Sequence, residues 1–288
     1  MAKKYIEGET KEQRKARKAK EKLAKAQKSV ETQKVLPQEN VEPQPVIKHS
    51  TSNDRHILCL KWGKKYDATY VNRLYNMVTR NCTIPFTFSC LTDDARGLHK
   101  NINVLPLPKL NASGWWYKPY IFSKELPLKG TILYLDLDVV ISGNIDKLFS
   151  YQENKWCTII DFTRVMRPKW NRYNSSVVRF EAGTLSHVWD EYQKDPKGIQ
   201  KRFFGDQDYL WDATNKVSPA QIFPRSWIQS WKWEIRKSKE LVYGLPKGSR
   251  KLKVIEDVTP NPECCICVFH GDPNPHNCED PWVVENWK

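Results

Sequence analysis

The segment Thr131–Ile141, with the sequence TILYLDLDVVI, constrains the fold more than any other part of the chain. Its continuous apolar and β-branched character predicts a buried strand. Asp136 and Asp138 interrupt it two residues apart. Because side chains alternate faces along a strand, both carboxylates are expected on one face, with Leu137 pointing into the core. The turn residues 142–144 follow, which puts the acidic pair near the carboxyl end of the strand, where open α/β sheets bind ligands.

The two aspartates predict a cation site. Adjacent carboxylates repel each other and stay ionised together only when a cation lies between them. Their hard oxygen atoms suit Mg²⁺ or Mn²⁺. Two solvated acids at a strand end, or a structural salt bridge, are the alternatives, because short Asp-x-Asp strings are common.

The remaining apolar runs predict an α/β fold with a mostly parallel central sheet flanked by helices. Further strands are expected at His56–Trp62, Pro85–Leu91, Asn103–Leu107, Lys155–Asp161, Ser176–Phe180 and Cys264–Phe269. Helices are expected at Lys64–Arg80, Tyr117–Leu126 and Thr184–Lys194, with another starting at Asp206.

The first 50 residues differ in composition from the rest of the chain. They hold 13 Lys and Arg against 7 Glu, a share of +6 in the net charge of +14. Val35–Val46 carries three prolines among polar residues, which is typical of an extended linker. We therefore expect a basic, mostly disordered arm at 1–50 and a single catalytic domain at 54–288. A solvated tail and an arm that contacts an anionic partner both remain open.

Eight cysteines occur without an apolar N-terminal run or a stretch long enough to span a bilayer. This pattern favours a cytoplasmic protein with reduced thiols and without a transmembrane segment.

Four segments resemble glycosyltransferase family 8, the glycogenin-like and lipopolysaccharide galactosyltransferase-like enzymes. Leu133–Phe149 (LYLDLDVVISGNIDKLF) is similar to the family's donor-site strand and helix start. Asn174–Phe180 resembles its N-S-G-V-M-L-F strand, and Gly205–Leu210 resembles its D-Q-D-x-L-N segment. Phe269–Gly271 with Pro275 resembles the late H-F-x-G-x-x-K-P-W element. The four follow one another in the family's order.

The resemblance implies a GT-A fold and a retaining glycosyltransferase that uses a nucleotide-diphosphate sugar, with a UDP-sugar as the expected donor. Mn²⁺ (or Mg²⁺) is the implied cofactor, held by Asp136, Asp138 and His270. The acceptor, whether glycan, lipid or protein, is not indicated.

Other roles also follow from the resemblance. Asp206 and Gln207 are expected to contact the donor sugar near the reacting carbon, and Asp208 to orient the same segment. The remaining residues expected to bind the nucleotide sugar are Lys61, Trp62, Gly63, Tyr66, Lys118, Leu137, Asn174, Ser175 and Gly271. Lys118 is expected to support either the diphosphate or the aspartates, and Tyr66 to stack on the base. Ser176 replaces the family's glycine, which narrows the space near the donor sugar.

Several alternatives stay open. Cys264, Cys267, His270 and Cys278 have spacings that would suit zinc, although strand alternation separates Cys264 from Cys267. Trp227, Trp231 and Trp233 suit either an acceptor platform or ordinary packing. A nucleotidyltransferase, or a nucleic-acid-binding protein with a degenerate transferase domain, are the competing functions. The chain lacks a P-loop and the G-x-G-x-x-G and G-x-S-x-G motifs, which argues against the common hydrolases and dehydrogenases.

Overall fold

A computed structural model describes residues 54–110, 112, 114–165, 167–235 and 260–288. The arm predicted at 1–50 lies outside the described residues. The described part confirms the predicted α/β class, with a seven-stranded central sheet and helices packed against it.

The central sheet runs in the order β3-β2-β1-β4-β7-β6-β8. Its strands are β1 (Arg55–Lys61), β2 (Thr87–Thr92), β3 (Asn103–Pro106), β4 (Thr131–Leu135), β6 (Cys157–Ile160), β7 (Tyr173–Glu181) and β8 (Gln221–Ile222). All run in one direction except β7, which is antiparallel to both β4 and β6. The carboxyl ends of β1 and β4 and the amino end of β7 therefore meet at one edge of the sheet.

A smaller sheet holds β5 (Val139–Ile141), β10 (Ile266–Val268) and β9 (Ile228–Ser230) in the order β5-β10-β9. It packs into the same apolar cluster as one face of the central sheet, which includes Leu133 and Leu135 of β4. The other face, with Ile132 and Tyr134, packs against a second cluster. The alternation along β4 thus fills two core layers.

The prediction of one strand over Thr131–Ile141 is wrong, because the chain leaves the central sheet after Leu135 and enters the small sheet at Val139. Asp136, Leu137 and Asp138 form the turn between the two sheets. β4 pairs with β1 and β7, whereas β5 pairs with β10. Leu137 is nevertheless only 3% exposed, as predicted. A turn rather than strand alternation sets the direction of the two carboxylates.

The helices are α1 (Ala68–Asn81), α2 (Asp146–Ser150), α3 (Ser186–Lys194), α4 (Pro196–Arg202), α5 (Asp206–Asn215) and α6 (Pro281–Asn286). The predicted helix at Lys64–Arg80 begins later because Asp67 caps α1, its side chain accepting a hydrogen bond from Thr69 N at 2.9 Å. One face of α1 is buried, including Leu74 and Met77.

Short helical turns complete the described fold. Gly114–Phe122 is a 3₁₀ helix, where Tyr117–Leu126 was predicted as an α-helix. It contains Pro119, and Ser123 N bonds back to Tyr120 O over three residues. Phe162–Val165 and Pro275–Asn277 are also 3₁₀, and Trp231–Ile235 is π-helical. No helix within the described ranges has the length and apolar character that crossing a membrane requires.

Candidate active site

Lys118 lies at the centre of the candidate site. Its ammonium is 2.9 Å from Asp136 Oδ1 and 3.2 Å from Asp206 Oδ2, and it donates to Ser175 Oγ at 3.0 Å. Burial alone would lower the pKa of Lys118, but Asp136 and Asp206 raise it above its ordinary value. The charged form is therefore favoured. One cation joins three segments that are far apart in the sequence.

Asp136 follows β4 directly and is fixed on both sides. Its backbone N–H donates to Ser176 O of β7 at 2.9 Å, and its Oδ1 accepts from the Tyr134 hydroxyl at 2.8 Å. These bonds hold Asp136 against the ends of β4 and β7.

Asp206 is the first residue of α5, where the partial positive charge of a helix start favours a carboxylate. Its Oδ2 accepts from Ser175 Oγ at 2.6 Å. The predicted helix start at Asp206 is confirmed, and it brings this carboxylate to the aspartate turn. Gln207 extends the same network, with its Oε1 accepting from Asn174 Nδ2 at 3.4 Å and its Nε2 donating to Asp161 Oδ2 at 3.3 Å.

Asp138 has a separate set of contacts. The Tyr66 hydroxyl lies 2.9 Å from Asp138 Oδ2 and 3.2 Å from Asn274 Oδ1, so it links the turn to the C-terminal segment. Burial and the neighbouring Asp136 raise the pKa of Asp138 to about 6, although the Tyr66 hydrogen bond opposes that rise. The negative charge of this half-buried carboxylate is not fully compensated, and a cation would stabilise it.

These side chains surround an open cavity of about 190 Å³. Predicted residues on its wall are Trp62, Tyr66, Lys118, Asp136, Leu137, Asp138, Ser175, Asp206 and Gln207. The wall therefore combines charged groups at the aspartate turn with flat aromatic rings.

Other predicted residues lie behind or beside the cavity. Lys61 is buried and donates to Asp94 O at 3.2 Å. Gly63 N donates to Asp93 Oδ2 at 3.0 Å. Asn174 is not on the cavity wall but donates a hydrogen bond to Gln207, which is.

Asp208 and Gly271 are not on the cavity wall. Burial raises the pKa of Asp208, and the nearby charge of Arg172 opposes that rise.

His270 does not form a cluster with Asp136 and Asp138. Its Nε2 hydrogen-bonds with Ser230 Oγ at 2.6 Å, and its ring stacks on Phe162 at 5.5 Å. Burial and the charge of Lys232 lower the pKa of His270 to about 4, which keeps the ring neutral at pH 7.

In the part of the chain that the structure describes, no three His, Cys, Asp or Glu side chains are close enough to hold a metal ion. This applies both to the predicted trio with His270 and to the alternative zinc site, whose cysteines are buried and form no disulfide bonds. The tryptophan cluster is divided. Trp231 is 1% exposed and donates to Asp280 Oδ2 at 2.7 Å, whereas Trp227 and Trp233 are partly buried against the same core.

The sequence interpretation missed part of the cavity wall. Leu60, Lys65 and Tyr134 line it, as does Trp115, which sequence patterns alone do not separate from core. Ser176, expected near the donor sugar, also lies on the wall. The spacing of Tyr134 two residues before Asp136 was an available signal. Nothing local distinguishes Trp115 from Trp116, yet Trp115 is 50% exposed and Trp116 is 7% exposed.

No family model and no curated protein sequence matches the chain. Solved structures do match. The galactosyltransferase LgtC, in complex with donor and acceptor sugar analogs, superposes with a TM-score of 0.51 at 13% identity, over 80% of this chain and 93% of LgtC. An active-site mutant of LgtC gives 0.52 at 12% identity, with the same coverage. The chain has the GT-A glycosyltransferase fold.

A second glycosyltransferase agrees with this assignment. The apo form of GlyE from Streptococcus pneumoniae TIGR4 superposes with a TM-score of 0.56 at 11% identity, over 81% of this chain and 61% of GlyE. The predicted GT-A fold and the resemblance to family 8 are thereby confirmed at the level of the fold.

Proposed function

We propose that this GT-A protein is a metal-dependent glycosyltransferase that moves a sugar from a nucleotide-diphosphate sugar, with UDP as the expected nucleotide, to an acceptor hydroxyl with retention. One observation carries the proposal: a single buried ammonium, Lys118, joins Asp136 of the aspartate turn to Asp206 of the helix start beside an open cavity. The two acidic segments that suggested a donor site are adjacent in space, which supports the proposal.

The residues present fit a hard divalent cation in part. Asp136 and Asp138 supply carboxylate oxygens beside the cavity, and the raised pKa of Asp138 indicates negative charge that a cation would stabilise. Lys118 already compensates part of the charge of Asp136. When bound, Mn²⁺ or Mg²⁺ would neutralise charge on the leaving diphosphate. The described structure does not bring His270 together with both aspartates, and its Nε2 is engaged by Ser230, so its role as a third ligand stays a prediction from the resemblance.

The chain's own residues do the positioning. Trp62 and Tyr66 offer flat rings at the end of the cavity reached from β1, where a base would stack. Asp206 and Gln207, fixed by Ser175 and Asn174, would hold the hydroxyls of the donor sugar. Retaining transfer then needs no dedicated general base, because the leaving phosphate accepts the acceptor's proton.

Turnover of a panel of nucleotide sugars, with and without Mn²⁺, tests the function. We expect hydrolysis of at least one donor to depend on the metal. Asp138→Asn should reduce turnover by about 100-fold or more, because a metal-ligating oxygen is lost. Asp190→Asn, at an exposed position on α3, is the matched control and should behave as wild type.

Two results would remove the proposal: no donor bound or turned over with metal present, or full turnover by Asp138→Asn. A nucleic-acid-binding protein with a degenerate domain would instead bind DNA or RNA with a steep salt dependence and turn over no donor. A nucleotidyltransferase would release pyrophosphate from a nucleoside triphosphate.

We also propose that the protein is cytoplasmic. The support is that the eight cysteines, all of which lie in the described residues, are not joined by disulfide bonds, which suits a reducing compartment.

A further inference from the structure

A short cationic segment lies beside the candidate site. Residues Arg167–Arg172, between β6 and β7, hold Arg167, Lys169 and Arg172 within six positions. Arg167 and Lys169 are exposed. Among the described residues, none of the three cations forms an ion pair with a carboxylate. Arg172 is half-buried, and its charge lowers the pKa of nearby Asp208. By contrast, the preceding Arg164 is buried and paired with Glu234 Oε1 at 2.9 Å.

Helix α5, whose first residues form the candidate site, holds this segment in place. Trp211 Nε1 donates to Asn171 O at 3.1 Å. At the base of the segment, Asp161 N donates to Arg172 O at 2.8 Å, and Asp161 Oδ2 accepts from Gln207 Nε2 at 3.3 Å. Asp161 therefore connects the backbone of the cationic segment to the side chain of Gln207.

Two tryptophan rings orient the arginines. The Arg172 guanidinium lies 3.6 Å from the centroid of the Trp211 ring, and the Arg167 guanidinium lies 5.8 Å from that of Trp170. A guanidinium that rests on an aromatic face keeps its N–H groups at the edges, where they match the two oxygens of a phosphate, sulfate or carboxylate. The arrangement suits a compact anion bound at the edges of the two guanidinium groups.

We propose that the acceptor is an anionic saccharide whose charged group binds Arg167, Lys169 and Arg172 while its hydroxyl approaches the donor beside Gln207. This inference rests on the proposed glycosyltransferase function and adds the class of its acceptor. The number of cations favours a saccharide over duplex nucleic acid. Duplex binding commonly engages roughly 6–10 phosphates along an extended surface, whereas the segment offers three cations within six residues.

A matched pair of probes tests the inference on the full chain. The first is a sulfated tetrasaccharide derived from heparin, and the second is the same tetrasaccharide after desulfation and N-acetylation. We expect the wild-type chain to bind the sulfated probe at least about tenfold more tightly than the neutral one, because each cation adds a charge-assisted bond. Raising NaCl from about 50 to about 300 mM should reduce the difference in affinity between the two probes, because salt screens the charges.

Variants that remove positive charge test where the sulfated probe binds. The double variant Arg167→Gln/Lys169→Gln should lose about tenfold in affinity for the sulfated probe, since two charge-assisted contacts are removed. Lys197→Gln/Lys201→Gln removes the same charge from exposed positions on α4 and should bind as wild type. Equal loss in both double variants would mean a nonspecific charge effect and would overturn the inference.

Donor turnover by the wild-type chain, measured in parallel, separates the two proposals. Donor turnover together with equal affinity for both probes removes the anionic acceptor and leaves the glycosyltransferase. Binding of the sulfated probe without turnover of any donor removes the glycosyltransferase and, with it, the acceptor role. A 20-mer DNA duplex that binds more tightly than the tetrasaccharide, with loss in Arg167→Gln/Lys169→Gln, would replace the saccharide with nucleic acid.

Discussion

The Lys118 ammonium lies 2.9 Å from Asp136 Oδ1, so the 3₁₀ helix at Gly114–Phe122 is tied to the end of β4. The same ammonium lies 3.2 Å from Asp206 Oδ2 at the start of α5. The side chains of Lys118 and Asp206 are 9% and 12% exposed, which leaves little water to compensate either charge. This ion pair network therefore supports the shape of the cavity as well as its charge.

Lys118→Met should destabilise the protein and abolish its activity. Without the ammonium, the carboxylates of Asp136 and Asp206 remain close together and poorly solvated, and loss of one buried partner costs about 3–5 kcal/mol. We also expect kcat/KM for donor turnover to fall by about 100-fold or more. Urea unfolding and the donor assay measure the two effects. Lys124→Met, at an exposed position, is the control. A Lys118→Met variant with wild-type stability would show that the network is not a structural element.

Gly130→Ala should be much more harmful than Gly183→Ala, although both glycines have φ +80°. At Gly183 the new methyl group would meet only Lys124 Cγ at 3.8 Å, so the cost is the left-handed backbone, about 1–2 kcal/mol. At Gly130 the methyl group would lie 2.3 Å from Asp54 O, a backbone atom next to β1. Relief requires β1 and β4 to separate, and we expect about 3 kcal/mol or more. Urea denaturation of both variants measures the difference, and equal costs would contradict this reason.

Asp146 should contribute stability that is lost in acid. Burial would raise its pKa, but hydrogen bonds from the Thr83 hydroxyl, Asn144 and the Thr83 backbone lower the pKa of Asp146 to about 2. Because the folded pKa is below the unfolded one, the contribution is complete above about pH 4 and disappears as the pH falls towards 2. Asp146→Asn should cost roughly 1 kcal/mol at pH 7, given the solvent exposure of this group.

The check on Asp146 is the pH dependence rather than one value. Urea unfolding of wild type and Asp146→Asn should differ at pH 7 and converge at acid pH. Asp212→Asn, an exposed position on α5, should follow wild type throughout. A constant difference between wild type and Asp146→Asn at all pH values would mean that the charge is irrelevant.

Local patterns predicted the pieces of the site but not their pairing. The start of α5 at Asp206 and the apolar character around the aspartates were both recognisable, since propensity and burial depend on nearby residues. The break after Leu135 was not, because both sides of it favour strand equally. Only the long-range pairing of β4 with β7 and of β5 with β10 separates them.

The same limit applies to single side chains. The partners of Lys118 lie 18, 57 and 88 positions further along the chain, so no spacing rule connects them. His270 occurs in a sequence element that resembles a metal-binding one, yet a hydrogen bond to Ser230 engages its ring. The family resemblance predicted the function of this histidine from its residue type, whereas tertiary packing determines which residues surround it.

Trp116→Ala should lower stability, whereas Trp115→Ala should weaken binding, although the two residues are adjacent. Trp116 is 7% exposed and stacks on Tyr192 with ring centroids 6.0 Å apart, so its loss should cost about 3–5 kcal/mol of stability. Trp115 is 50% exposed on the cavity wall. Its removal should change stability by less than about 1 kcal/mol and raise KM for donor or acceptor by about tenfold, because a stacking face is lost. Thermal unfolding and steady-state kinetics on the two variants give both values. An unchanged KM in a stably folded Trp115→Ala would assign this ring to the rim of the cavity without a role in binding.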